Sequence, residues 1–255
     1  MGSDAPAYVD PQKIAIVGII LGIALSLSPI PTFVDIAVHS KTTGGYTAAP
    51  YIASLMCCSM WLTYAIMAGA AKFSMIPLNA VSFVVYFIYC GIYLYFSPDR
   101  FRTTKLYMGA LAIVAVAVTI GIVTKSVIFV GIVATVTNCL MFAAPLMVMQ
   151  LVIKTRSVRY MPLLLSLSGF LCACTWLLWA AVVSDYFVLI PNALGAFFGL
   201  IQIILYTVYW IIGRNDSRIE MSESLASARE IANEDLTPIK QPSSTPESPK
   251  HTHKE

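Results

Sequence analysis

Charge is what this sequence has least of. Its 255 residues include 16 lysines and arginines and 13 aspartates and glutamates, 11% in all, against 58% hydrophobic residues. Mean hydropathy is +0.78. So little charge excludes an ordinary soluble domain, and the chain reads as an integral membrane protein. Only 12 of the charges fall in residues 14–213, while 14 crowd into the last 42 residues. A basic face is missing too: the net charge of +3 comes from scattered residues, which excludes nucleic acid as a partner. Residues 1–13 are polar and contain no apolar core with a cleavage site, so no removable signal peptide is expected. The six cysteines all lie in apolar stretches and read as small packing residues. Cys172 and Cys174 have no histidine nearby, and their i, i+2 spacing points the thiols to different helix faces. No metal and no cofactor is therefore expected.

What is present is a series of apolar runs. A bilayer core about 30 Å thick needs roughly 20 apolar residues per helix. Charged or turn-rich breaks divide the chain into seven such segments, expected at 14–38, 49–67, 75–96, 106–123, 127–153, 162–183 and 187–212. Alternate loops carry unequal charge, with nine lysines and arginines on the side of the carboxyl tail and three on the other. The positive-inside rule then places the amino terminus outside and the tail in the cytosol. That tail, 214–255, begins with a mildly helical stretch and ends rich in Pro, Ser, Thr and charge; with too little apolar surface to bury, it is expected to be a disordered appendage.

The first three segments echo the last three. Pro50 and Pro162 open the second and sixth segments at an offset of 112, and Asn79 and Asn192 follow prolines at an offset of 113. Ser28-Pro29 is matched by Ala144-Pro145 at 116. The expected architecture is all-α, with a first three-helix repeat at 14–96, a linker with the fourth helix at 97–126 and a second repeat at 127–213. An odd unit followed by one inversion re-enters the membrane in its starting orientation, so the repeats are parallel about an axis along the membrane normal. Transporters place substrate between such repeats. A seven-helix receptor shares the topology, and Asp99-Arg100-Phe101 follows the third segment, but the seventh lacks an Asn-Pro-x-x-Tyr run.

Ion- or proton-coupled carriers keep a titratable group in the bundle. No Asp, Glu, His, Lys or Arg is expected at mid-membrane here, and no Gly-x-x-x-x-Gly-Lys-Ser/Thr run exists to hold ATP. That pattern fits facilitated movement of a neutral solute rather than pumping or enzyme catalysis. An unpaired amide in hydrocarbon costs several kcal/mol, so the matched Asn79 and Asn192 are expected to face an aqueous cavity, the alternative being a bond to a neighbouring helix. Trp61 and Trp176 are either interfacial anchors or flat walls of such a cavity. Pro29, Pro50, Pro145 and Pro162 supply kinks, although Pro50 and Pro162 also suit simple helix starts.

The run Leu27-Ser28-Pro29-Ile30-Pro31-Thr32-Phe33, the Lys41-Thr42-Thr43-Gly44 loop before Pro50-Tyr51, the Pro191-Asn192-Ala193-Leu194-Gly195 stretch and the repeat pattern together resemble the SWEET sugar transporters. Parallel repeats are already a known property of that family. The resemblance implies a mono- or disaccharide substrate and a pocket of Asn79, Asn192, Trp61, Trp176, Cys57, Cys172, Gly22, Leu25, Asn138 and Met141. It also implies an inner gate of Pro29, Pro50, Pro145 and Pro162, an outer gate of Tyr64 and Asp185, and a homo-oligomer. The cell surface is the expected location, with vacuolar or Golgi membranes as alternatives. Another transporter of the Pro-Gln-loop group, for amino or organic acids, is the runner-up, yet the sole Pro-Gln pair, Pro11-Gln12, precedes the first segment. Alanine follows both asparagines where the family often has glycine, which leaves substrate size open.

The charge bias makes one direct prediction. Asn215-Asp216-Ser217 is a formal N-glycosylation sequon, but a cytosolic tail receives no glycan. Mass analysis of protein from a glycosylating host will find Asn215 bare, and a glycan there would invert the orientation.

Overall fold

The computed structural model describes residues 10–158 and 161–235. Seven helical stretches are long and apolar enough to cross a bilayer: Pro11–Ser40, Ala49–Ala68, Ala70–Phe96, Arg100–Thr124, Val127–Thr155, Leu163–Val182 and Tyr186–Gly213. Among the described residues every regular element is helical. The first stretch comprises α1 (Pro11–Leu27), α2 (Ile30–Val34) and a π-helical turn, Asp35–Ser40. α3 is Ala49–Ala68; a 3₁₀ segment, Ala70–Met75, leads into α4, Ile76–Phe96. α5 is Arg100–Thr124, α6 Val127–Leu140, α7 Ala143–Thr155, α8 Leu163–Val182 and α9 Tyr186–Asp235.

Two of the expected helices are broken at proline, for one reason in both repeats. Pro29 has no N–H to give the Leu25 carbonyl. That carbonyl is taken instead by the backbone N–H of Ser28 at 3.2 Å and its hydroxyl at 2.7 Å, and α1 ends. Pro145 likewise leaves the Met141 carbonyl without its i+4 donor, and Met141 and Phe142 close a tight turn onto Asn138 and Cys139 between α6 and α7. In α9, Pro191 frees the Phe187 carbonyl, which accepts from the Thr135 hydroxyl of α6 at 2.9 Å. A backbone acceptor inside the membrane is thereby satisfied without breaking the helix. Helix starts are capped by Asp10, Asp99 and Ser126, each accepting a first-turn N–H.

The repeats meet crosswise. α1 packs on α8 and α3 on α6, so the first helix of each repeat lies against the second helix of the other, as a twofold relation requires. The unmatched α5 packs on α3, α4 and α6. One apolar cluster joins α1, α3, α6, α8 and α9 around Met60, Trp61, Tyr64, Trp176, Trp179 and Val188. A second lies within the first repeat and the linker around Phe33, Tyr89, Tyr93 and Ala110, where the Phe33 and Tyr89 rings stack at 4.2 Å.

The tail differs from expectation. Compactness divides the chain at Trp210, with Ile211–Glu255 a separate unit, and in it the helix continues to Asp235. Residues 219–235 contain no proline or glycine and include four Glu and three Ala, both good helix formers. Residues 214–235 are thus helical rather than disordered. The rest of that expectation, 236–255, and most of the expected outer segment 1–13 lie outside the described residues.

Candidate functional site

One cavity of about 260 Å³ opens between the repeats. All ten residues expected to form a pocket line it: Gly22 and Leu25 on α1, Cys57 and Trp61 on α3, Asn79 on α4, Asn138 and Met141 at the end of α6, Cys172 and Trp176 on α8, and Asn192 on α9. None of its lining residues is charged.

The asparagines are held alike. Asn79 Nδ2 donates to the Met75 carbonyl at 2.9 Å and Asn192 Nδ2 to the Val188 carbonyl at 2.8 Å. Each bond is to the residue's own helix one turn back, and neither ties two helices together. One amide hydrogen fixes the rotamer, which leaves the carbonyl oxygen and the second N–H for a solute. Asn138 has a partner across the cavity, its Oδ1 lying 3.7 Å from Cys57 Sγ. The tryptophans are buried, at 6% exposure for Trp61 and 5% for Trp176, so they stand in the bundle wall and not in an interfacial belt. Trp176 Nε1 is a buried donor with no partner, and a Cβ on Gly18 would come within 2.9 Å of it. The bare backbone at Gly18 is what lets the indole lie against α1.

One turn beyond the tryptophans stands a polar cluster, the latch. Asp185, 3% exposed, accepts from the Tyr64 hydroxyl at 3.0 Å. Lys72 Nζ lies 2.7 Å from the same carboxylate oxygen and 5.3 Å from the Trp179 ring centroid. The other oxygen of Asp185 accepts the backbone N–H groups of Phe187 and Val188, capping α9. Tyr64 and Asp185 were expected to act together; Lys72 and Trp179 were not. Their signal was in the repeat: Lys72 and Asp185 are 113 residues apart, Tyr64 and Trp179 are 115 apart, as are Trp61 and Trp176. Trp61–Tyr64 and Trp176–Trp179 form the same edge-on ring pair, at 5.7 and 5.5 Å. The latch is thus two repeat-related pairs facing each other across the axis, one pair carrying opposite charges.

The four prolines stand at the opposite end. Pro50 lies in the first turn of α3 and Pro162 caps α8. Both are exposed, whereas Pro29 and Pro145 are half-buried at the breaks in the first and fifth spans.

The family model described as "Sugar efflux transporter for intercellular exchange" matches the chain twice, at residues 12–100 and 128–211. The chain belongs to the SWEET family. Those matches bracket the fourth span, in keeping with a 3+1+3 plan. Similar SWEET proteins include the bidirectional sugar transporter SWEET7b of Oryza sativa subsp. japonica, 34% identical and covering 82% of this chain and 83% of that protein. SWEET4 of Arabidopsis thaliana is 35% identical over 76% of this chain and 80% of its own. A eukaryotic SWEET transporter structure at 3.7 Å resolution superposes with a TM-score of 0.74 at 29% identity, covering 78% of this chain and 96% of that one.

Breaking a buried ion pair by removing one partner costs about 3–5 kcal/mol, because a charge is left uncompensated. Lys72→Met and Asp185→Asn will each lower the unfolding temperature of the purified protein, and the double variant will recover part of the loss. A coupling of about 1–3 kcal/mol is expected from the cycle. Strict additivity would show that the two charges do not act as a pair.

Proposed function

We propose that this chain moves mono- or disaccharides across a membrane down their concentration gradient, by alternating access, as a uniporter. The observation that carries the reading is the cavity itself. Matched asparagines and tryptophans from the two repeats face it, and its lining includes no charged group. Sugar hydroxyls need amide partners to replace water, and the apolar face of a sugar ring suits an indole. An amino or organic acid would call for a cation in the lining, which weighs against the Pro-Gln-loop alternative. The buried Lys72 and Asp185 neutralise each other in the latch and sit outside the lining, so they offer no coupling site to a driving ion.

Tyr64, Asp185 and Lys72 act as the gate at one end, and Pro29, Pro50, Pro145 and Pro162 as hinges and gate at the other. With the tail cytosolic, the latch is the outer gate and the prolines are the inner one. The latched outer end and exposed Pro50 and Pro162 fit a state that opens inward. The cell surface as host membrane and assembly as a homo-oligomer belong to the same proposal and rest on the family resemblance.

The asparagines test it. Asn79→Ala and Asn192→Ala each remove amide positions that face the solute, and each lost bond costs about 0.5–1.5 kcal/mol, more where a sugar hydroxyl stays buried and unpaired. Uptake of labelled glucose into cells, corrected for surface abundance, will fall at least tenfold in both. Near wild-type uptake at normal abundance would sink the assignment of these amides to the site.

A further inference from the structure

Five polar residues line the cavity beyond those expected: Ser26, Ser54, Cys58, Ser82 and Tyr86. All belong to the first repeat, on α1, α3 and α4. Four of them lie toward the proline end from the central layer, and Cys58 stands beside Cys57 within it. Ser26 is one turn past Gly22, Ser54 one turn before Cys57, Ser82 one turn past Asn79 and Tyr86 a turn further. Ser26 and Ser82 are hydrogen-bonded at 2.7 Å, and Ser26 donates to the Gly22 carbonyl at 3.0 Å. Ser54 and Tyr86 line the cavity beside this pair.

The second repeat answers these positions differently. At the offsets that relate the rest of the site, Ser26 corresponds to Phe142, Ser54 to Gly169, Cys58 to Ala173, Ser82 to Gly195 and Tyr86 to Gly199. The contact between the first and third helices is kept and its chemistry exchanged. Where the first repeat joins two serines, the second lays the Phe142 ring against Gly195, 3.3 Å from where a Cβ would stand. Gly199 lets α9 approach α8 closely, with the Cβ and backbone of Phe170 at 3.0 and 3.2 Å from where its own Cβ would stand. The Phe142 ring fills in one repeat the volume that hydroxyls line in the other. The cavity therefore has a polar lobe on one side of the pseudo-twofold axis and an aromatic plug on the other.

We infer that the first-repeat lobe is a second-ring subsite: a disaccharide places one ring between the tryptophans and asparagines and directs the other into Ser26, Ser54, Ser82 and Tyr86. This rests on the sugar-transport reading above. The central layer is nearly symmetric and can orient only one ring. A substrate with two rings needs further hydroxyl partners on one side alone, and a one-sided lobe also fixes which end of the substrate enters first. Hydroxyls suit the purpose because each both donates and accepts, so sugar hydroxyls of either polarity find a partner.

The experiment transplants the plug. Ser26→Phe with Ser82→Gly gives the first repeat the Phe–Gly pair of the second. Ser54→Ala with Tyr86→Phe removes hydroxyls while adding no bulk. Uptake of labelled sucrose and labelled glucose is measured for each variant and for the wild type. The readout is the sucrose-to-glucose ratio, which does not depend on how much transporter reaches the membrane. The wild type will carry both sugars. The ratio will fall at least tenfold in the plugged variant and at least threefold in the hydroxyl-deletion variant. A wild type that carries glucose and no sucrose overturns the subsite, as does a ratio within twofold of wild type in both variants. A wild type that carries neither sugar overturns the transport reading instead.

Discussion

Hydrocarbon gives an unpaired polar group nowhere to go, and this structure is organised around that penalty. Carbonyls freed by Pro29 and Pro191 are claimed by Ser28 and Thr135. The carboxylate of Asp185 is met by a lysine, a tyrosine hydroxyl and two backbone N–H groups. Hydroxyls along the helices, such as those of Ser59, Thr63 and Thr175, donate to carbonyls one turn back. Against that background the amides of Asn79 and Asn192 are under-used, since each makes a single bond to its own helix, and the indole N–H of Trp176 has no partner at all. All three line the same cavity. Apart from the Thr43 hydroxyl in the loop after the first span, the buried side-chain group left without a partner among the described residues is at this cavity, and there a hydroxylated solute can use it.

Duplication explains the frame, and departures from it explain the differences between the two halves. The crosswise packing of α1 on α8 and α3 on α6 puts equivalent side chains on opposite walls. Where the equivalents are alike, as with the asparagines, the walls match. Where they are complementary, as with Lys72 and Asp185, the axis passes through an ion pair that binds one repeat to the other. An identical residue at both positions could never make that bond, so the broken symmetry itself makes this end of the bundle lockable. A buried pair of this kind is a conditional contact. It is favourable while both charges are kept from water together, and it exchanges readily for hydration when the end opens.

Much of this was legible in the sequence, because bilayer thickness turns composition into helix count and repeated spacing turns one half into a map of the other. The ten residues expected around a pocket do line one cavity. Periodicity alone could not place Trp61 and Trp176 in the wall or at the interface, since the same residue suits both; burial decides it, Trp176 against Gly18 and Trp179 and Trp61 against Tyr64. Lys72 drew no separate expectation, although its offset of 113 from Asp185 marks it as that residue's counterpart. The polar side of the cavity was missed because serines on a membrane helix usually satisfy themselves one turn back, and only the comparison of Ser26 and Ser82 with Phe142 and Gly195 singles them out. The tail was expected to begin with a mildly helical stretch but to stay disordered for want of apolar surface to bury; the lack of proline and glycine lets the helix continue to Asp235.

The cavity lining carries no charged side chain, and the account assigns the driving force to the solute gradient alone. The most direct test is uptake into proteoliposomes containing the purified chain, first with sugar alone and then with an imposed proton gradient. The account predicts that internal sugar rises to the external concentration and stops there, at the same level with or without the proton gradient. Accumulation above the external concentration when the proton gradient is applied would contradict it.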